Sequence, residues 1–92
     1  MKIEIYSSRI CPFCHLAKKL LDAKGVSYEE FFVDDDPVLA DESIRRSNGR
    51  RTVPQIFIES DHIGGYDDLA ALVRQGGLDA ILQVSDTSGI SL

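Results

Sequence analysis

Cys11 and Cys14, in Cys11-Pro12-Phe13-Cys14, are the two residues of this chain best suited by type and spacing to do chemistry. On a helix, residues i and i+3 share one face, close enough for a disulfide without large backbone movement. If the helix opens at the first cysteine, its unpaired N–H groups and the positive end of its dipole lie beside that sulfur. Both favour thiolate over thiol, so Cys11 is expected to have a lowered pKa and to act as a nucleophile. His15, Lys18 and Lys19 add positive charge nearby, with the two lysines expected to point partly to solvent. Cys14, one turn inside, is expected to be protected and to remain a thiol at neutral pH. An exposed nucleophile backed by a buried resolving thiol is what thiol–disulfide exchange needs.

Competing readings of the pair are weaker. A core cysteine beside an unrelated surface one would have to fall on this helix opening by chance. A zinc site wants four ligands, and beyond the cysteines only His15 and His62 are available, His15 pointing away from the pair on a helix. Cys11 to His15 also spells the c-type haem attachment pattern. Met1 is the only methionine, however, so the usual axial ligand is absent, and the strand pattern leaves no obvious haem cavity. No metal is expected.

The elements that must position the cysteines follow from periodicity and punctuation. Ile3 to Tyr6 reads as a strand, and Ser7-Ser8-Arg9-Ile10 as the loop into the cysteine helix. That helix is expected to run to about Lys24, with Pro12 at its first position, where the missing N–H costs nothing. Phe13, Leu16, Ala17, Leu20 and Leu21 recur at helical spacing and predict one buried face. Gly25 supplies the stop, with Val26 as its hydrophobic contact. Tyr28 to Val33 is the next strand, and the helical crossover makes it parallel to the first. Asp36 before Pro37 starts a weakly apolar, half-buried helix that ends at Asn48-Gly49. Val53 to Ile58 is a strand entered through Pro54. Ser60-Asp61 turns it into His62-Ile63, an antiparallel hairpin. Gly64-Gly65 permits a close backbone approach or unusual dihedrals. Asp67 begins a helix ending at Gly76-Gly77, and Asp79 a last short one carrying Ile81 and Leu82. The order β-α-β-α-β-β-α-α predicts an α/β fold, a four-stranded mixed sheet flanked by helices.

Composition sets the bounds. The chain has 92 residues, enough for one small domain, and 43% hydrophobic with 27% charged residues is ordinary for a globular protein. One domain over residues 1–84 and a flexible tail over 85–92 are expected. Ten Lys and Arg against fifteen Asp and Glu give a net charge of −5, which offers nucleic acid little attraction. No window approaches the roughly 20 apolar residues of a membrane span. Met-Lys-Ile-Glu-Ile-Tyr reads as a strand and not as a signal peptide, so a cytoplasmic location is expected.

Assembled, these residues resemble the glutaredoxins of the thioredoxin-fold superfamily, from Ile3 to about Leu82. The resemblance rests on Cys11-Pro12-Phe13-Cys14 after Tyr6, on Thr52-Val53-Pro54 entering a strand, and on Gly64-Gly65-Tyr66-Asp67-Asp68 opening a helix. The Cys-Pro-aromatic-Cys form is similar to the dithiol class. Thioredoxins usually carry Cys-Gly-Pro-Cys after a tryptophan, and this chain has no Trp.

The resemblance implies a glutathione-dependent thiol–disulfide oxidoreductase with no bound cofactor and with glutathione as electron donor. Its partners would be glutathione and disulfide-containing or glutathionylated client proteins, met as a monomer. Cys11 would be the nucleophile and Cys14 the resolving thiol. Pro54 would be cis, offering the Val53 backbone to the cysteinyl part of glutathione as an added strand would. Gly65 and the N–H groups of Tyr66 and Asp67 would receive the γ-glutamyl carboxylate, and Asp67 or Asp68 its ammonium. The same aspartates suit plain helix capping. Phe13 keeps the aromatic surface where tyrosine is commoner. The family usually places a lysine where this chain has Ser8, so Arg9 or Arg51 is expected to replace it, Arg51 lying beside Thr52 in a run with Arg45, Arg46 and Arg50. Two other readings are kept: a thioredoxin-like carrier served by a flavoprotein reductase, and an iron–sulfur binding module using Cys11 and glutathione from two subunits.

Overall fold

Successive side chains along a strand point to opposite sheet faces, and the first strand commits both faces to burial. In the computed structural model, which describes residues 2–81, β1 (Ile3–Ser7) is buried along its whole length. It lies inside a four-stranded sheet of order β2-β1-β3-β4. β2 (Glu29–Phe32) runs parallel to it, β3 (Gln55–Ile58) antiparallel to it, and β4 (Asp61–Gly64) antiparallel to β3. Three helices intervene, α1 (Pro12–Ala23), α2 (Pro37–Arg46) and α3 (Tyr66–Arg74), and residues 77–81 are helical again. The mixed sheet, the parallel crossover and the element order are those expected.

One face carries the apolar core. Ile3 and Ile5 stand opposite Ile58 and Ile56, and Ala17 and Leu21 of α1, Leu69 of α3 and Leu78 close over them. The buried stripe of α1 is Cys14, Ala17 and Leu21. The expected stripe is therefore corrected at its start, since Phe13 is 56% and Leu16 42% exposed. A helix whose second cysteine must be buried turns positions 13 and 16 outward.

The other face is polar and aromatic. Glu4 and Tyr6 oppose Phe57 and Gln55, under α2. Arg46 of α2 lies 4.1 Å over the Phe57 ring and 2.9 Å from both the Glu4 carboxylate and the Tyr6 hydroxyl. Tyr6 donates to Glu42. The Arg46 hydrogen bond holds the Glu4 carboxyl below its usual range against the opposing effect of burial. α2 buries only Ser43 fully, as its sparse apolar pattern foretold.

Element ends obey local chemistry. Asp36 caps α2 by accepting from the Val38 N–H at 2.9 Å. Gly25 ends α1 at φ 70°, and Val26 packs against the core. Several boundaries differ from expectation: β3 starts at Gln55 and not Val53, because Pro54 has no N–H for the ladder, and β2 is shorter than Tyr28 to Val33 by one residue at each end. The hairpin turn is Glu59-Ser60, both at positive φ, because Asp61 already pairs with Ile58. α3 starts at Tyr66, and the last helical stretch starts two residues before Asp79. Leu82 and the expected 85–92 tail lie outside the described residues. No helix among the described residues is long and apolar enough to cross a membrane.

Replacing Arg46 by methionine strands a nearly buried Glu4 carboxylate, at an expected cost of about 2 kcal/mol at pH 7. Glu4 binds its proton less readily in the folded wild type, so its contribution is full above the unfolded carboxylate range and lost as pH falls through the lowered folded value. The Arg46→Met penalty, read by urea unfolding, is therefore expected to shrink as the pH falls below about 4. A penalty independent of pH would contradict this role for Glu4.

Candidate active site

Cys11 is the N-cap of α1, with extended φ −100° and ψ 109°, and Pro12 takes the first helical position. The Cys11 Sγ accepts the Cys14 N–H at 3.2 Å, so the sulfur does what a serine or aspartate oxygen does at most helix starts. The two cysteines then part company. Cys11 is partly exposed, Cys14 is buried, and neither is in a disulfide. Burial first, and the hydrogen-bonded Cys11 side chain second, push the Cys14 thiol up to about 12. The Ser8 backbone and Lys18 pull the other way without reversing it. Lys18 is not loose in solvent, because its ammonium sits 2.8 Å from Glu30.

Opposite the pair, the Val53–Pro54 peptide bond is cis, and the Val53 carbonyl lies 3.5 Å from the Cys11 Sγ. Val53 also belongs to the wall of a groove of about 360 Å³. Phe13 of α1 forms one side of that groove, and Arg50, Thr52 and Pro54, leading into β3, continue the Val53 wall. Gly65, Tyr66, Asp67 and Asp68 close it where α3 opens. The Phe13 and Tyr66 rings stack at 6.0 Å and join the two helices across the site.

The α3 opening is built for close approach. The Asp68 carboxylate accepts the Gly65 N–H at 2.9 Å and lies 3.5 Å from Arg50. Gly64 has φ 122°, and a Cβ there would come within 2.2 Å of the Asp68 carboxylate. Only glycine satisfies both conditions. Asp68 thus serves as a cap, while the exposed Asp67 holds no partner among the described residues. The first-turn N–H groups of Tyr66 and Asp67 have no acceptor within the helix.

The structure gathers Phe13, Thr52, Val53, Pro54, Gly65, Tyr66, Asp67 and Asp68 around one groove beside Cys11. Arg9 and Arg51 are elsewhere. Arg9 pairs with Asp35, which the guanidinium holds below the usual carboxylate range, and lies 4.1 Å over the Phe32 ring. Arg51 is not in the groove wall but lines a smaller cavity under α2, which Arg50, Thr52 and Val53 border as well. Arg50 is the arginine in the groove, where the sequence pointed to Arg51, and nothing in a run of adjacent arginines distinguishes the two before the chain is folded. Ser8 donates to Asp34 at 2.9 Å, which ties the loop before Cys11 to the end of β2. Among the described residues no three His, Cys, Asp or Glu side chains gather as a metal site.

Comparison with known proteins gives one answer. The glutaredoxin family model matches residues 3–63. Glutaredoxin 3 of Escherichia coli strain K12 is 54% identical over 81 residues, 88% of this chain and 96% of that protein. The solution structure of a glutaredoxin from Brucella melitensis superposes with a TM-score of 0.78 at 45% identity, covering 89% of this chain and 88% of that one. The crystal structure of a buckwheat glutaredoxin–glutathione complex gives a TM-score of 0.80 at 31% identity, covering 88% and 76%.

The asymmetry of the pair predicts its reactivity. Brief iodoacetamide treatment of the reduced protein at neutral pH, followed by peptide mapping, is expected to label Cys11 and leave Cys14 unmodified. Equal labelling would contradict a buried thiol held near 12.

Proposed function

The chain belongs to the glutaredoxin family of glutathione-dependent thiol–disulfide oxidoreductases, and from that premise we propose that Cys11 is its nucleophile, Cys14 its resolving thiol and the adjoining groove its glutathione site. The observation that carries this is Val53, which lines the groove and sets its carbonyl 3.5 Å from the Cys11 sulfur. A cysteinyl residue laid along Val53 brings its own sulfur to Cys11.

The chemistry follows from the asymmetry of the thiols. The Cys11 thiolate attacks one sulfur of a client disulfide, forming a mixed disulfide, and the departing thiolate takes up a proton. Cys14 then loses its proton and attacks the Cys11 sulfur, releasing the second client thiol. The client has gained two electrons and Cys11–Cys14 has lost them. Two glutathione molecules return the pair to thiols and leave as glutathione disulfide. When Cys11 carries glutathione itself, a second glutathione resolves it without Cys14.

The groove offers a complement to each charge of glutathione, which has two carboxylates and one ammonium. The α3 N-terminus suits one carboxylate, and Asp67, without a partner among the described residues, suits the ammonium. Arg50 is the groove cation for the second carboxylate, a place for which Arg9, held by Asp35, and Arg51, which does not line the groove, are less suited. Glutathione is here a co-substrate and not a resident cofactor. Work as a monomer on disulfide-bonded or glutathionylated proteins in the cytoplasm belongs to the same reading, since cysteines used for exchange suit a reducing compartment.

Cys11→Ser is expected to abolish both glutathione removal from a glutathionylated peptide and reduction of a protein disulfide. Cys14→Ser is expected to spare the first and lose most of the second. Equal loss of both activities in the two variants would overturn the division of roles. Arg50→Ala is expected to raise the KM for a glutathionylated peptide about tenfold, with Arg51→Ala close to wild type.

A further inference from the structure

Gln55 is the fully buried residue that ends the β1–β3 ladder, opposite Tyr6. The three residues before it, Thr52, Val53 and Pro54, lie outside that ladder, and Pro54 has no N–H to give. Yet this segment faces Cys11 and walls the groove. The Gln55 side chain supplies what the ladder does not. Its Nε2 lies 3.0 Å from the Thr52 carbonyl oxygen and 3.2 Å from the Thr52 hydroxyl. Its Oε1 lies 2.7 Å from His62 Nε2 on β4.

The amide orientation follows from the partners. Turned the other way, Oε1 would face the Thr52 carbonyl, acceptor against acceptor. With Nε2 donating to Thr52, Oε1 must accept, so His62 carries a hydrogen on Nε2. The His62 ring is itself held, 5.0 Å from the Phe57 ring, where the β3–β4 register shifts between Ile56 and Phe57. Phe57 is fixed in turn by Tyr6 and Arg46. A rigid stack thus holds an imidazole, the imidazole orients an amide, and the amide ties down the residue before Val53.

We propose that Gln55, oriented by His62, is a positioning residue for the reaction: it fixes Thr52 so that Val53 meets both the groove ligand and the Cys11 sulfur. The proposal rests on the reading of the groove as the glutathione site. Gln55 touches neither Cys11 nor the groove, so its effect falls on how well a glutathione moiety is aligned and not on the reactivity of the thiol.

The test uses Gln55→Met, which keeps the length and apolar bulk of the side chain but has no amide to donate to Thr52. Gln55→Glu, which keeps the acceptor, is the second variant should methionine impair folding. Steady-state turnover of a glutathionylated peptide is followed with glutathione, glutathione reductase and NADPH, beside the iodoacetamide rate of Cys11. Either variant is expected to raise the KM for the peptide about tenfold, with kcat within about twofold and the alkylation rate unchanged. His62→Phe, which keeps a ring against Phe57, is expected to raise KM less. The Gln55→Met/His62→Phe double variant is expected to match Gln55→Met alone, because His62 acts through Gln55. A wild-type KM in both Gln55 variants, or additive effects in the double variant, would overturn the positioning role. Absence of glutathione-dependent turnover in the wild type would instead overturn the glutathione reading itself.

Discussion

The hydrogen bond from the Cys14 N–H to the Cys11 sulfur is the constraint on which the rest of the site depends. It can form only if Cys11 stands just outside the helix while Cys14 lies within its first turn. Pro12 suits that boundary, since its ring favours the first helical position and it has no N–H to leave unpaired. The same turn that leaves Cys11 partly exposed carries Cys14 inward, where burial keeps it a thiol. The helix boundary therefore separates two chemically identical side chains by exposure, one open to attack on a client and one buried and waiting.

The sheet brings the remaining parts to that sulfur. The loop after β1, the lead-in to β3 and the opening of α3 meet at one end, although they lie far apart in sequence. Each is held by a different device: Asp34 on the Ser8 loop, Gln55 on Thr52, and Asp68 on Gly65. The buried polar face under α2 contributes at a distance, because Tyr6, Arg46 and Phe57 fix the layer from which His62 and Gln55 reach the groove wall. Glu4 on the central strand and Arg46 of α2 above it are tolerated in this layer because each answers the other.

Much of this was legible in the residues. The cysteine spacing, Pro12, Gly25, Asp36 and the strand-like runs Ile3 to Tyr6 and Val53 to Ile58 each carry a local rule strong enough to place an element. The misses have common physical causes. Phe13 and Leu16 have core spacing but face outward beside the cysteines, because the helix rotates to bury Cys14. Glu59-Ser60 adopts a turn usually marked by Asn or Gly, so its position could not be read from composition. Arg50 and Arg51 are the same residue type in adjacent positions, and only the folded groove, which Arg50 lines and Arg51 does not, tells them apart. The Gln55–His62 contact spans two strands, and nothing in either segment alone announces it.

The central claim is that the groove beside Cys11 serves glutathione, and the electron supply tests it most directly. The purified protein, given a glutathionylated peptide, is to be driven either by glutathione, glutathione reductase and NADPH, or by thioredoxin reductase and NADPH. Turnover with glutathione and none with thioredoxin reductase is the predicted result. Efficient reduction by thioredoxin reductase with no turnover on glutathione would contradict it.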